Sequence, residues 1–135
     1  PFDTPTIGGE IPEEHPLESV ARLFELTRQI QKAAGNIPVV GNGYSWLRQF
    51  LPNAGAANIA DGSCTLVGIG RQAFAYPDAP KDMLEKGAMD PKKSCIACSK
   101  CTQIMRDHGR TGCVIRDSEV YLPLYNEARN NATKK

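Results

Sequence analysis

Residues 37–71 read IPVVGNGYSWLRQFLPNAGAANIADGSCTLVGIGR, and this stretch decides the fold. Ile37-Pro38-Val39-Val40 is a short continuous apolar run of strand type. It closes on Gly41-Asn42-Gly43 and is followed by an amphipathic stretch holding Trp46, Leu47, Phe50 and Leu51, which Pro52 ends. The small-residue segment from Ala54 to Ala60 reads as helix, and Cys64 to Ile69 as a second strand running into Gly70 and Arg71. Working outward, Val20, Ala21, Phe24, Leu26 and Ile30 recur at helical spacing, so a helix is expected over about 17 to 34 with Gly35 as its stop. On the other side, Lys81 to Lys86 forms a further short helix. Helix, strand, helix, strand, helix is the order of an α/β protein with parallel strands and crossover helices. Two strands cannot make a parallel sheet that is buried on both faces. The chain is therefore expected to pair with other strands or to belong to a larger barrel.

Composition narrows the partners. Sixteen Lys+Arg against fifteen Asp+Glu leave a formal charge of +1, which supplies no basic field for a nucleic-acid backbone or an anionic membrane. No apolar run approaches the roughly 20 residues of a membrane span, and PFDTPTIGG lacks the basic flank and apolar stretch of a signal peptide. A cytoplasmic protein is expected. A first residue of Pro1 rather than Met points to a processed product or a piece of something longer. The prolines at 1, 5, 12 and 16 with Gly8 and Gly9 mark a long loop over residues 1 to 16, and polar residues 126 to 135 read as a frayed terminus.

Four of the five cysteines cluster as Cys95, Cys98, Cys101 and Cys113, spaced C-x2-C-x2-C-x11-C. In a cytoplasmic chain with an odd cysteine count a disulfide framework is disfavoured, and metal ligation is the better reading. Structural zinc sites usually pair two separated C-x2-C knuckles. Thiols at i, i+3 and i+6 with one more at a distance suit the four corners of an iron–sulfur cubane, so [4Fe-4S] is favoured over a four-thiolate zinc site. Cys64, in the apolar run GSCTLVG, reads as a small buried hydrophobe. His108 lies between the third and fourth cysteines, but four thiols suffice and a solvated loop residue is expected. His15, before Pro16 at a helix start, is unremarkable.

Both strands end in glycine turns that open helices, Gly41-Asn42-Gly43 and Gly68-Ile69-Gly70-Arg71. Such turns let a backbone approach a phosphate, and Arg71 would add a charge-assisted bond. Glycines also close strand-to-helix turns for conformational reasons alone. A phosphate cradle beside an iron–sulfur segment suggests a flavin mononucleotide enzyme that passes electrons onward.

The segments IPVVGNGYSW, DGSCTLVGIGRQAFAYPD, CIACSKC and TGCV, in that order, resemble the Old Yellow Enzyme-like NADH:flavin oxidoreductase family. More narrowly, the resemblance is to the iron–sulfur branch that includes 2,4-dienoyl-CoA reductase and trimethylamine dehydrogenase, and it covers about residues 17 to 115. The spacing between the second and third cysteines is nearer the amine dehydrogenases than the dienoyl-CoA reductases. The resemblance implies a TIM (β/α)8 barrel of which residues 1–90 supply strands seven and eight with their helices, residues 91–125 the iron–sulfur segment, and 126–135 a polar tail. It implies FMN phosphate binding by Asn42, Gly43, Gly70 and Arg71. It implies a [4Fe-4S] cluster on Cys95, Cys98, Cys101 and Cys113, with NAD(P)H as a potential electron donor.

The same resemblance places substrate-binding and proton-donating residues on earlier strands, so this chain holds no catalytic acid or base. The partners it implies are the remainder of the barrel, in the same or a separate polypeptide, a small-molecule substrate, and a separate electron-transfer protein. The competing reading is a stand-alone four-cysteine module for electron transfer or interaction, without flavin. Charge agrees modestly with an anionic cluster: residues 81 to 110 carry seven Lys+Arg against four Asp+Glu. Tyr121, Leu122, Leu124 and Tyr125 are expected to pack the segment after the cluster back on the barrel.

Overall fold

Helix α1, Pro16–Ala34, starts where local chemistry dictates. Pro16 stands in the first turn, where its missing N–H is harmless, and the Nδ1 of His15 accepts the Leu17 N–H at 3.1 Å. Glu14 closes this end by binding the Ser19 hydroxyl and the Arg22 guanidinium. Gly35, with φ of +60°, ends the helix as expected, its N–H donating to the Gln31 carbonyl. The computed structural model describes residues 5–132. The first four residues of the expected proline-rich loop lie outside it.

Strands β1, Val40–Gly41, and β2, Leu66–Val67, are parallel, with Val40 opposite Leu66 and Gly41 opposite Val67. Both are shorter than the apolar runs suggest. Each has a single neighbour among the described residues, and Val40 and Leu66 are about half exposed, at 48% and 54%. Gln31 fastens α1 to the start of both. Its Nε2 donates to the Gly35 and Ile37 carbonyls, and its Oε1 accepts the Val39 N–H at 3.1 Å and the Thr65 hydroxyl at 2.8 Å.

Between the strands, the amphipathic stretch is not one α-helix. Tyr44–Phe50 is 3₁₀ in character and breaks at Arg48, whose φ is +53°. Pro52 then opens α2, Leu51–Ala60, because a proline fits the first turn of a helix better than its interior. After β2 come α3, Arg71–Ala75, and α4, Ala79–Lys86, the latter ended by Gly87 at φ +68°. Helix α5, Lys100–Arg106, follows Cys95 and Cys98 and carries Cys101 in its first turn, and α6 is Ser118–Ala132. Helix α6 corrects the reading of residues 126 onward as frayed. Ala128 is buried and Arg129 pairs with Asp107 at 3.0 Å, so the polar sequence is the wetted side of a helix packed on α5. Residues 133–135 lie outside the described part. Among the described residues, no helix is long and apolar enough to cross a membrane.

The core is Tyr44, Leu51, Tyr76, Ala79 and Met89, with Phe24 packed against Tyr44 at 4.6 Å between ring centroids. Two buried phenols carry polar nodes. The Tyr44 hydroxyl accepts from Asn58 Nδ2 at 2.9 Å and meets Cys64 Sγ at 3.5 Å, and burial together with that thiol pushes its pKa up to about 12. Cys64 is buried, as its apolar run implies. The Tyr76 hydroxyl donates to the buried Asp82, which Lys86 and Lys93 also hold, at 2.6 and 3.3 Å.

Lys86 first, and then Tyr76, keep the Asp82 carboxyl well below the usual carboxylate range. A depressed carboxylate stabilises the fold fully above its unfolded pKa, and that contribution is lost as pH falls through the folded value. Asp82→Asn should therefore be less stable than the parent near pH 7 and lose less stability on acidification below about pH 4. Urea unfolding of both proteins across that range checks this.

Candidate functional site

Parallel pairing sets the two post-strand turns side by side. The Gly68 N–H donates to the Gly41 carbonyl at 2.7 Å, and a Cβ on residue 68 would collide with Asn42 Oδ1 and stand 2.9 Å from Val40 Cγ1. Gly43, at φ +97°, turns the chain from β1 into the 3₁₀ segment. Gly70 precedes α3, and the space where its Cβ would sit is open. Asn42, Gly43, Gly70 and Arg71 thus lie at the ends of the two adjacent strands. The helix-dipole argument for an anion there loses weight, since α3 has only five residues. Arg71 turns toward the cysteine segment, its Nη1 donating to the Ser99 hydroxyl at 3.4 Å.

Cys95, Cys98, Cys101 and Cys113 line one cavity, walled by Phe74, Ile96, Val114 and Ile115 and bordered by Arg71 and Arg116. The loop that carries the first three is tightly curled. Ala97 and Ser99 both take positive φ, +56° and +57°, a conformation that non-glycine residues hold only when their surroundings impose it. Here the Ala97 N–H donates to Cys95 Sγ at 3.3 Å, and the carbonyl of the buried Ser99 accepts the Gln103 N–H at 2.9 Å. The Cys95 N–H donates to Gln72 Oε1 at 2.9 Å, which fixes the loop to α3.

The fourth cysteine is tied back to the first three from several sides. Arg116 donates through Nε and Nη2 to the Ser94 carbonyl, at 3.2 and 2.7 Å, while its backbone N–H donates to Cys113 Sγ at 3.3 Å. The Thr111 hydroxyl reaches the Cys101 carbonyl at 2.6 Å. Gly112 lies under the Tyr121 ring, where any side chain would clash. Tyr125 faces Lys100, whose Nζ stands 5.8 Å from the ring centroid. These two tyrosines therefore serve the cysteine segment, whereas Leu122 is exposed. On the far side, the Ile7 N–H donates to Gln103 Oε1 at 2.7 Å and Arg106 binds the Thr6 hydroxyl, so the N-terminal strap runs beside Cys98. His108 is exposed in the turn after α5 and does not border the cavity.

Burial pushes the Cys95 and Cys101 thiols up; the Ala97 N–H and the Arg71 charge pull Cys95 partly back, and Thr102 does so for Cys101. Buried thiols of this kind become thiolates when a cation shares their cavity. Among the described residues, no three Cys, His, Asp or Glu side chains are disposed to hold one metal ion.

Sequence reasoning did not single out Gln72, Ser94, Ser99 or Arg116. Ser94 and Ser99 abut cysteines of the motif, and Arg116 stands three residues beyond Cys113, so their place in the motif was a usable signal. Gln72 had none; on a short helix it reads as a surface position.

The chain is 34% identical over 100 residues to the bilirubin reductase of Mediterraneibacter gnavus (strain CC55_001C). That alignment takes in 73% of this chain and 15% of the reductase, so the chain spans a small part of that relative's length. No family model matches the chain, and no solved structure matches it.

Two substitutions probe this geometry. Gly68→Ala should cost about 1–3 kcal/mol by forcing apart the turns after the strands, read as a shift in the denaturation midpoint at unchanged slope. Arg116→Ala leaves the buried Ser94 carbonyl without its charged donor and should cost about 1.5–3 kcal/mol in the same measurement, with Arg116→Lys recovering only part.

Proposed function

We propose that this chain is the C-terminal part of an FMN-dependent oxidoreductase of the Old Yellow Enzyme type, with a [4Fe-4S] cluster held by Cys95, Cys98, Cys101 and Cys113. The observation that carries the reading is a shared wall: Arg71, the first residue after the glycine turn of β2, also lines the cysteine cavity. A group bound at the strand ends and a group bound by the cysteines would be neighbours. The similarity to a reductase supports redox chemistry. The exposed Ile37, Val40 and Leu66 suit a strand pair whose sheet continues in other parts of a barrel, in the same or a separate polypeptide.

The donor set favours a cluster over zinc. A structural zinc ion draws four ligands to about 2.3 Å from one point. Here three thiols recur at i, i+3 and i+6 with the fourth at a distance, and all four cysteines border one cavity, which suits the separate corners of a cubane. The N–H groups of Ala97 and Arg116 already point at Cys95 and Cys113 sulfur, the second-sphere donors that a thiolate-bound cluster uses.

Bound there, the cluster supplies single-electron transfer, and FMN supplies hydride exchange with a small organic substrate. The chain's own residues do the holding. Asn42, Gly43 and Gly70 offer backbone and amide donors to the phosphate, and Arg71 sets a positive charge between phosphate and cysteines. Phe74, Ile96, Val114 and Ile115 keep water from the sulfurs. The proton donor and the substrate contacts belong to the rest of the barrel, and electrons arrive from NAD(P)H or leave to a separate electron-transfer protein.

Anaerobically purified protein, analysed for iron, acid-labile sulfide, zinc and FMN, tests the reading. About four irons and four sulfides per chain are expected, with a flavin spectrum over a broad brown shoulder when the remainder of the barrel is present. Serine at any one of the four cysteines should remove most of the iron. Stoichiometric zinc without sulfide overturns the reading, and iron and sulfide without flavin in the complete barrel leaves the stand-alone electron-transfer module in its place.

A further inference from the structure

Gln72 is fully buried, and only half of its side-chain amide is used. Oε1 accepts the Cys95 N–H at 2.9 Å, while Nε2, equally sealed from water, has no hydrogen-bond partner among the described residues. Buried amide donors are almost always satisfied, so an orphan marks the place of an acceptor. Covalent dimensions keep Nε2 within about 5.5 Å of the nitrogen of Cys95, a residue that borders the cysteine cavity. The residue has little freedom to turn away. Its own N–H donates to the Ser45 hydroxyl at 3.2 Å, and its carbonyl accepts the Tyr76 N–H at 2.8 Å.

We propose that Gln72 is a positioning residue for the iron–sulfur group: Oε1 fixes the Cys95 backbone, and Nε2 donates a hydrogen bond to a sulfur at the Cys95 corner. The proposal rests on the cluster reading above. A hydrogen bond donated to cluster sulfur favours the reduced, more negative form and so raises the reduction potential. Gln72 would add such a bond to the one that Ala97 provides from the backbone. Ser45 follows the turn after β1, so Gln72, through its backbone N–H to Ser45 and its side chain to Cys95, also links the post-β1 segment to the cluster ligand.

The test compares the anaerobically purified parent with Gln72→Glu, which keeps an acceptor for the Cys95 N–H, and Gln72→Met, which is of similar size and adds no charge. Iron and sulfide are counted, and the cluster is titrated by electron paramagnetic resonance. Both variants should be harder to reduce, the ratio of reduced to oxidised cluster at the parent's midpoint falling about tenfold, or about 59 mV for one electron. Should a variant not assemble, the parent carries the test: with glutamine side-chain amides labelled with 15N, its reduced cluster should show a 15N hyperfine coupling. Unchanged potentials in cluster-loaded variants, or no such coupling in the parent, overturn the proposal and leave the cluster reading intact. Absence of iron and sulfide from the parent overturns both.

Discussion

Helix α3 has five residues, and the placing of the cysteine loop against the strand ends depends on what its first two touch. Arg71 reaches Ser99, and Gln72 holds the Cys95 N–H with its side chain while its backbone holds Ser45. A turn this short has little helical stability of its own. It persists because its first two residues are engaged on both sides, so the 3₁₀ segment and the cysteine loop are fixed to one another.

The cysteine loop repeats this economy. Two non-glycine residues in the left-handed region are costly; Ala97 is held by its N–H to the Cys95 sulfur, and Ser99 by the Gln103 N–H on its carbonyl. Cys113 is brought home by Arg116, which spans to Ser94 and gives its backbone N–H to the cysteine it follows. Apolar walls raise the thiols, and a neighbouring arginine moderates the effect at Cys95.

Much of this was legible in the sequence, and the limits have physical causes. Helix α1, the two glycine turns and the four cysteines follow from spacing and from the few residues that tolerate those backbones. The strands came out shorter because an apolar run says that a segment is buried in a sheet, not how many neighbours it has here. The stretch from Tyr44 to Phe50 has helical spacing, but it is broken at Arg48, a conformation that no local signal foretells. Residues 126–132 look frayed by composition, yet Ala128 and Arg129 are enough to seat them on α5. Arg71 was legible as a charged residue at the strand end; that its guanidinium reaches the cysteine segment depends on a contact 28 residues away in sequence.

The strap at residues 5–7 has a consequence for the order of events. Its bond from Ile7 to Gln103 closes a loop across 96 residues of chain, whereas the bonds that shape the cysteine loop join near neighbours. Loop-closure entropy makes such a long-range contact late to form in folding. On a ribosome, the strap emerges before anything it can dock against. The flank of Cys98 therefore stays open until Ile7 meets Gln103, after the bonds that shape the cysteine loop have formed.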